Sequence, residues 1–327
     1  MHKKIIKSLL LLFFLTMTAG MLLFSGQSLQ LALEGLNLWF SKMIPALLPF
    51  MILSGLMIRT GLSDSFASWF SPVLRPLYRL SNSCLYCIII GFLCGFPMGA
   101  RVCAQSYERN KISRREAALL LSFCNNIGPV YFTGYVLQLF PVQNAWVAFA
   151  GMYGIPLLYG LFLRHTLYRD IPCGGRIDSV SGSKNGKKAL IAASCEERNI
   201  QDSPLSFTRL LAELHASILS GLDAITVLGG YMIFCNLLNL IPQLFLKHNS
   251  QLYALLGPLL EITSGLSRLG NTNRLWAFIA LPFGGISCIA QTYSCIQNTD
   301  LSLIEYIFHK IIQTALTAVF YVAFPLL

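Results

Sequence analysis

The fold of this chain depends on two stretches, Gly91-Phe-Leu-Cys-Gly-Phe-Pro-Met-Gly-Ala-Arg-Val-Cys-Ala-Gln105 and Ser122-Phe-Cys-Asn-Asn-Ile-Gly-Pro129. Each stretch puts helix breakers and polar side chains within a long apolar run. In hydrocarbon, non-helical backbone is tolerated only where protein or a water-filled cavity surrounds it. Polar side chains at that depth usually mark a functional site. The two stretches are therefore the expected place for a solute to meet the protein.

The composition of the chain is that of a membrane protein. Of its 327 residues, 55% are hydrophobic and 12% are charged, whereas soluble domains carry about 25% charged residues. The net charge of +10 could indicate a nucleic-acid partner, but the basic residues cluster between apolar spans. That distribution favours orientation in a bilayer and no nucleic-acid binding.

Apolar spans alternate with polar connections along the chain. The spans lie at about 8–25, 38–58, 84–104, 117–140, 144–163, 210–246, 275–296 and 302–325. The first one follows Met-His-Lys-Lys and resembles a signal peptide, but no clean cleavage site follows it. We expect a retained helix with its basic end in the cytoplasm.

The two halves of the chain match at an offset of 186 residues. Identical residues at this offset include Gly35 and Gly221, Pro72 and Pro258, Gln105 and Gln291, and Tyr107 and Tyr293. Such internal repeats, often inverted, are typical of secondary transporters. The predicted parts are an N-terminal transmembrane helix at 1–30, a first repeat with an extra helix at 31–164, a basic cytoplasmic linker at 165–209, and a second, inverted repeat at 210–327.

The distribution of basic residues predicts two re-entrant hairpins. If 84–104 crossed the membrane fully, the basic residues at 109–115 would face those at 59–79 across the bilayer, against the positive-inside rule. A hairpin that turns near Gly95–Gly99, and another at 275–297 that turns at Pro282–Gly285, remove the conflict. The hairpins then open to opposite faces, and 19 of the 24 Lys and Arg residues lie on the cytoplasmic side.

The predicted fold class is thus an all-α polytopic membrane protein. It has two inverted repeats, about six transmembrane helices and two re-entrant helical hairpins, with both termini in the cytoplasm. The expected hinge residues are the glycines and prolines of the breaks: Gly95, Pro97, Gly99, Gly128, Pro129, Pro282, Gly284 and Gly285.

Amide and hydroxyl side chains near the breaks are the candidate solute ligands. Asn125 and Asn126, with Ser122, adjoin a helix end that Pro129 enforces; the alternative is a kinked helix whose Asn pair bonds to neighbouring helices. Gln105 and Gln291 occupy equivalent repeat positions. Thr292 follows Gln291, and helix-to-helix hydrogen bonding is the alternative for this group too.

Two charged residues extend the candidate site. Arg101 follows the first turn and could hold a carboxylate with two parallel bonds, although a cytoplasm-facing arginine would also obey the topology rule. Asp223 could couple transport to a proton or Na⁺, or it could be a helix-end carboxylate.

Enzyme, cofactor and metal signatures are not found in the sequence. It has no G-x-S-x-G, H-E-x-x-H or Walker loop, and Cys84-Leu-Tyr-Cys87 has no second pair. We therefore expect no enzymatic activity, no cofactor and no metal site.

The motifs resemble one known family. Gly91-Phe-Leu-x-Gly-Phe-Pro-Met-Gly-Ala-Arg101, Leu121-Ser-Phe-Cys-Asn-Asn-x-Gly-Pro129 and Pro282-Phe-Gly-Gly-Ile-Ser-x-x-x-Gln291 look like those of YlbJ-type sporulation integral membrane proteins. These are part of the nucleoside-recognition, or Gate-domain, group, which resembles part of the concentrative nucleoside transporters.

This resemblance implies a membrane permease of endospore-forming bacteria. The family is associated with passage of dipicolinic acid toward the spore across the outer forespore membrane. The alternatives are a non-transporting membrane scaffold or signalling subunit, and a nucleoside-type transporter. The implied partners are the lipid bilayer, a small solute, and further copies of the chain or other sporulation membrane proteins.

Overall fold

The computed structural model describes residues 2–172, 206–246, 250–270 and 273–326. Most of the predicted linker at 165–209 lies outside these residues. Within them the chain is helical and contains no strand. The helices of the first half are His2–Leu23, Ser25–Leu38, Ile44–Arg59, Leu62–Tyr78, Asn82–Cys94, Met98–Glu108, Arg114–Phe123, Pro129–Tyr131, Leu137–Leu139, Ala145–Phe149 and Ile155–His165.

Three π-helical turns join some of these helices end to end: Trp39–Met43, Phe132–Val136 and Ala150–Gly154. The helices of the second half are Phe207–Leu238, Leu240–Phe245, Ser250–Leu260, Ile262–Leu269, Arg274–Ala280, Gly285–Ile296 and Leu303–Ala323.

Among the described residues, six helical segments are long and apolar enough to cross a membrane, which confirms the predicted all-α polytopic class. They are Ile5–Leu23, Ser25–Arg59, Ala145–His165, Phe207–Phe245, Arg274–Ile296 and Leu303–Ala323. The predicted span at 117–140 is not among them because the chain leaves helical geometry at 124–128.

The hairpin predicted after residue 84 is confirmed. Asn82–Cys94 and Met98–Glu108 pack along each other, and the Cys87 thiol lies 3.8 Å from the Val102 carbonyl oxygen and 3.5 Å from the Ser106 hydroxyl. Contacts between residues this far apart in sequence require the chain to fold back. We call these two helices the first hairpin.

The position predicted for the second hairpin, 275–297, is wrong. Arg274–Ile296 continues as one apolar span of 23 residues. The Pro282–Gly285 breaker run does not reverse the chain, because the Gly284 N–H still bonds to the Ala280 carbonyl at 3.2 Å and positive φ angles at Gly284 and Gly285 absorb the irregularity. Arg274–Ala280 and Gly285–Ile296 are called the second broken helix.

The second hairpin lies earlier in the chain. Ser250–Leu260 and Ile262–Leu269 pack along each other, and a Cβ atom at Gly257 would lie 3.0 Å from the Cα of Gly265. These two glycines permit the close approach of the arms. Both halves therefore contain a long helix, a hairpin, a broken helix and a long helix in that order. The first long helix of each half ends at Arg59 or Phe245, 186 residues apart, but the broken helices begin at Arg114 and Arg274, 160 residues apart.

The two longest helical segments, Ser25–Arg59 and Phe207–Phe245, run antiparallel, as expected for inverted repeats. Ser217 donates to the Ile52 carbonyl at 2.6 Å, and Trp39 donates to the Ile225 carbonyl at 2.8 Å. The earlier residue of one helix thus meets the later residue of the other. The inverted relation of the complete halves stays a prediction.

The loop at 297–302 lies on the same side of the molecule as Arg114. The Arg114 guanidinium contacts the Asp300 carboxylate at 2.7 Å, and the Tyr107 hydroxyl donates to the same carboxylate at 2.8 Å. A hairpin at 275–297 that opened opposite to the first one would have separated these residues. The contact therefore agrees with a second broken helix that passes from one side of the molecule to the other.

Candidate functional site

The tip of the first hairpin is locked onto the break of the helix that follows it. That helix, which we call the first broken helix, starts at Arg114 with a Ser113–Glu116 capping box, breaks at 124–128 and resumes at Pro129. A Cβ atom at Gly91 or Gly99 would overlap the Cys124 carbonyl oxygen. Glycine is required at both positions because backbone lies directly against backbone.

Asn125 joins the first hairpin to two elements of the second half. Its side-chain oxygen accepts from the Ala100 N–H at 3.3 Å, and its amide nitrogen donates to Thr292 Oγ1 at 2.9 Å and to the Tyr306 hydroxyl at 3.1 Å. The side chain is completely buried. These bonds satisfy the amide within the protein, so Asn125 holds the break in place.

Asn126 is hydrogen-bonded to Lys310, a residue that was not among the candidates predicted from the sequence. Its side-chain oxygen accepts from Lys310 Nζ at 2.9 Å, and the same ammonium donates to Gln313 Oε1 at 3.1 Å. Gln313 in turn donates to the carbonyl of Ser122. Lys310 is completely buried. The sequence did carry a signal, since a lysine inside an apolar span is a functional-site candidate.

A cavity lies where the two hairpin tips and the two broken helices meet. Its volume is about 50 Å³, which holds a few water molecules and is smaller than a typical solute pocket. Most of its wall is apolar and the cavity is partly open; we call it the chamber. The residues that line it are Met43, Ala46, Leu47, Cys94, Phe96, Ile127, Gly128, Tyr131, Leu228, Met232, Glu261, Ile262, Thr263, Cys288 and Gln291.

Glu261 supplies the carboxylate of the cavity wall. It is 2% exposed and precedes Ile262–Leu269, whose Thr263 and Ser264 N–H groups donate to its two carboxylate oxygens at 3.1 and 2.7 Å. Anions are favoured at helix N-termini. The second hairpin tip therefore places a buried carboxyl group beside the cavity.

The predicted solute ligands other than the two asparagines divide into three groups. Gln291 lines the cavity and donates to Ser287 at 2.9 Å. Ser122 and Thr292 are buried in the bonded network around the first break. Gln105 is half-buried and is not part of the cavity wall. The structure therefore does not bring the two glutamines together in this chamber.

The two predicted charged residues lie away from the chamber wall. Arg101 is 8% exposed, and its Nη2 donates to the carbonyl oxygen and the hydroxyl of Ser220, both at 2.7 Å. It thereby ties the first hairpin to Phe207–Phe245. Asp223 lies on an exposed part of the same long helix. In the described parts of the chain, no three His, Cys, Asp or Glu side chains form a group that could hold a metal ion.

The described residues define a polytopic all-α membrane protein with an internal chamber between two hairpins and two broken helices. Comparison with known proteins agrees with this class. Residues 40–140 match the family model Gate, described as nucleoside recognition; this region extends from the first long helix through the first hairpin to the end of the first broken helix.

The whole chain is similar to the sporulation integral membrane protein YlbJ of Bacillus subtilis (strain 168). The two are 27% identical over 336 aligned residues, which cover 94% of this chain and 80% of YlbJ. The resemblance that the motifs indicated is thereby confirmed. No solved structure matches the chain.

Proposed function

We propose that the protein is a secondary permease that passes a small polar or anionic solute across a membrane during sporulation. The observation that carries the proposal is the chamber, which is lined by both hairpin tips, the first helix break and the second broken helix. Secondary transporters bind their substrates near the midplane at such discontinuous helices. The similarity to YlbJ supports the sporulation role.

Dipicolinic acid is the first candidate solute, on the resemblance to the YlbJ family. Arg101 is a buried cation of the first hairpin, and a cation inside the protein would favour an anion. Lys310 lies behind Phe96, a wall residue, with its ammonium 5.0 Å from the ring centroid.

A nucleoside is the second candidate, and the wall itself favours it. Phe96 and Tyr131 offer aromatic faces, while Glu261 and Gln291 offer hydrogen-bonding groups for a neutral solute. A dianion would meet the Glu261 carboxylate. The match of residues 40–140 to the nucleoside-recognition family also supports this candidate.

A non-transporting membrane scaffold remains the alternative from another class. Asn125 and Asn126 bond to other protein groups, as a scaffold would require. A scaffold, however, does not require a chamber. Both observations are therefore addressed by one transport experiment.

Uptake into proteoliposomes separates the three readings. Purified protein would be reconstituted and supplied with radiolabelled dipicolinate or uridine, with empty vesicles as the reference. Glu261→Gln and Gln291→Ala should reduce uptake of the transported solute, whereas Gln105→Ala, outside the chamber, should leave it unchanged. If neither solute enters above the empty-vesicle level, the permease reading is wrong and the scaffold reading stands.

For the orientation, we propose a cytoplasmic N-terminus and a C-terminus on the opposite face of a bacterial membrane. This orientation requires seven crossings, namely the six apolar spans and the first broken helix at 114–139. The second broken helix and the Arg114–Asp300 contact support it, and it differs from the expectation that both termini are cytoplasmic. The count of basic residues is unaffected, because no Lys or Arg follows Lys310. Cysteine labelling at Arg109→Cys should report the cytoplasmic face; labelling from outside would overturn the orientation.

A further inference from the structure

Lys310 stands in a continuous row of polar residues along a helix that is otherwise apolar. On Leu303–Ala323, the side chains of Tyr306, His309, Lys310, Gln313 and Thr317 are buried, and Glu305 is half-buried at the start of the helix. Their spacing of one to four residues places them on neighbouring turns of one face. A row of ionisable residues inside a membrane span is typical of a proton route.

A second, smaller crevice follows this row from the surface of the molecule. Its wall includes Leu301 and Ser302, which precede the helix, and then Glu305, His309 and Ser122. The carbonyl of Ser122 accepts from Gln313, which also bonds to Lys310. The crevice thus reaches within two hydrogen bonds of the Lys310 ammonium.

Lys310 also touches the wall of the chamber. Its ammonium donates to Asn126, the residue before the wall residue Ile127, and faces the ring of Phe96. The lysine therefore lies between the crevice and the chamber: Gln313 connects it to Ser122 in the crevice wall, and Phe96 separates it from the chamber. A solute that displaces Phe96 or Asn126 would change the surroundings of the ammonium directly.

The partners of Lys310 are neutral. No carboxylate in the described residues lies within 4.0 Å of its ammonium. The titratable groups around it are Glu305, Tyr306 and His309 on its own helix, Cys124 after Arg114–Phe123, Cys288 on the second broken helix, and Tyr159, which bonds to His309 at 2.6 Å.

Two other elements, Ala150–Gly154 and Arg274–Ala280, also pack on this helix. Their Tyr153 and Phe278 lie beside Tyr321, near the far end of the helix from Glu305. A buried ammonium without a counter-charge is costly, whereas a buried amine is tolerated. Gain and loss of one proton at this position are therefore sensitive to small changes nearby.

On the basis of the permease function proposed above, we propose that Lys310 carries the proton that is coupled to solute movement, and that the crevice past Glu305 and His309 is its route to the aqueous face. The step is a transfer from hydronium to the Lys310 amine, which forms one N–H bond and leaves one water molecule. Release reverses it. Rearrangement of Phe96 and Asn126 around the solute links the two events.

Two assays on the same proteoliposomes test the proposal. Exchange of radiolabelled solute for unlabelled solute needs no net proton movement. Accumulation against a solute gradient, driven by a pH difference, does need it. A difference of one pH unit supports about tenfold accumulation per coupled proton. Dipicolinate and uridine would both be used as probes.

The informative variant is Lys310→Gln. It should keep solute exchange and lose the pH-driven accumulation, which should fall from about tenfold to the equilibrium ratio. Lys310→Arg, which cannot release its proton, should behave alike. Lys42→Gln is the matched control, because Lys42 is an exposed lysine in another span; it should retain both activities.

Several results would overturn the coupling role. It fails if Lys310→Gln still accumulates solute along a pH difference, or if the wild-type protein exchanges solute without responding to pH. If the wild-type protein does neither, the permease function fails and the coupling role fails with it. If the variants do not fold, proton exchange on solute binding to the wild-type protein, followed with a pH dye in weak buffer, decides: binding without proton exchange contradicts the proposal.

Discussion

The two helix breaks differ in the hydrogen bonds that hold them in place. At the first break, 124–128, two buried asparagines bond to Ala100, Thr292, Tyr306 and Lys310. At the second break, between Ala280 and Gly285, glycine conformations and backbone bonding are sufficient. The first break is a polar junction between the two halves of the molecule, while the second is a local irregularity in a span.

This difference explains where the chamber lies. The first junction is filled by its own side chains, and it reaches the chamber through Ile127 and Gly128. The second broken helix contributes Cys288 and Gln291, and the neighbouring hairpin tip contributes Glu261. We infer that the first junction fixes the architecture. Gln291 of the second broken helix and Glu261 of the neighbouring hairpin tip provide the polar groups open to a solute.

The largest loss of stability is expected from Gly99→Ala, at the contact between the first hairpin and the first break. The added methyl group would overlap the Cys124 carbonyl oxygen, and such overpacking costs about 1–3 kcal/mol or more. Gly230→Ala is the matched control because its Cβ atom would meet nothing within 4 Å; it should be neutral or stabilising by up to about 1 kcal/mol. Thermal unfolding in detergent measures both, and equal stability of the two variants would contradict the locked hairpin tip.

Asn125→Ala should follow in size. It removes three hydrogen bonds and leaves buried donors and acceptors without partners, at a cost of about 2–4 kcal/mol. The half-buried Gln105→Ala should change the free energy of unfolding by about 0.5 kcal/mol or less. Denaturant-induced unfolding would compare them. An Asn125 variant as stable as the Gln105 variant would mean that the first break is not a structural junction.

Gln291→Ala should separate function from stability. The side chain has one hydrogen bond, to Ser287, so its loss should cost about 1 kcal/mol, while exchange of the transported solute should fall because the chamber loses a polar group. Unfolding and exchange would be measured on the same preparation. Normal exchange at reduced stability would place Gln291 with the structural residues of the first break.

The smallest effect is expected at the surface contact of Arg114 with Asp300. The hydrogen bond from the Tyr107 hydroxyl lowers the pKa of the Asp300 carboxyl, and the charge of Arg114 lowers it further by a smaller amount. A lowered pKa means that the contact stabilises the protein above the carboxyl's unfolded pKa and is lost as pH falls through the folded value.

Because the Asp300 side chain is 58% exposed, Asp300→Asn should cost about 0.5 kcal/mol or less at neutral pH. The melting temperatures of the variant and the wild-type protein should converge as the pH is lowered below the carboxyl range. A difference that grows on acidification would contradict the assigned direction.

The sequence predicted the class of fold and the first hairpin because both depend on local signals. Apolar length identifies spans, and Gly95-Phe-Pro-Met-Gly99 marks a turn that the positive-inside rule then requires. The second hairpin was misplaced because Pro282-Phe-Gly-Gly285 has a similar composition, and composition does not distinguish a reversal from an irregular span. Its true tip at Glu261 is defined by packing of Gly257 on Gly265, which local sequence does not reveal.

The site was predicted in part for the same reason. Asn125 and Asn126 were identified as polar residues next to a break, and Gln291 as the repeat counterpart of Gln105; the partners of the two asparagines come largely from distant helices. Lys310 is more than 180 residues from Asn126 in sequence. A contact of that kind depends on the tertiary arrangement, so sequence spacing could not show which amides would be satisfied and which would face the chamber.

The most direct test of the chamber uses two native cysteines. In variants that keep a single cysteine, Cys288 lines the chamber, whereas Cys84 is fully buried in the first hairpin away from it. A small thiol reagent should modify Cys288 in the reconstituted protein, more slowly when dipicolinate or uridine is present, and should leave Cys84 unmodified. Equal reactivity of the two thiols, or labelling of Cys288 that neither solute slows, would contradict a solute-binding chamber between the hairpin tips.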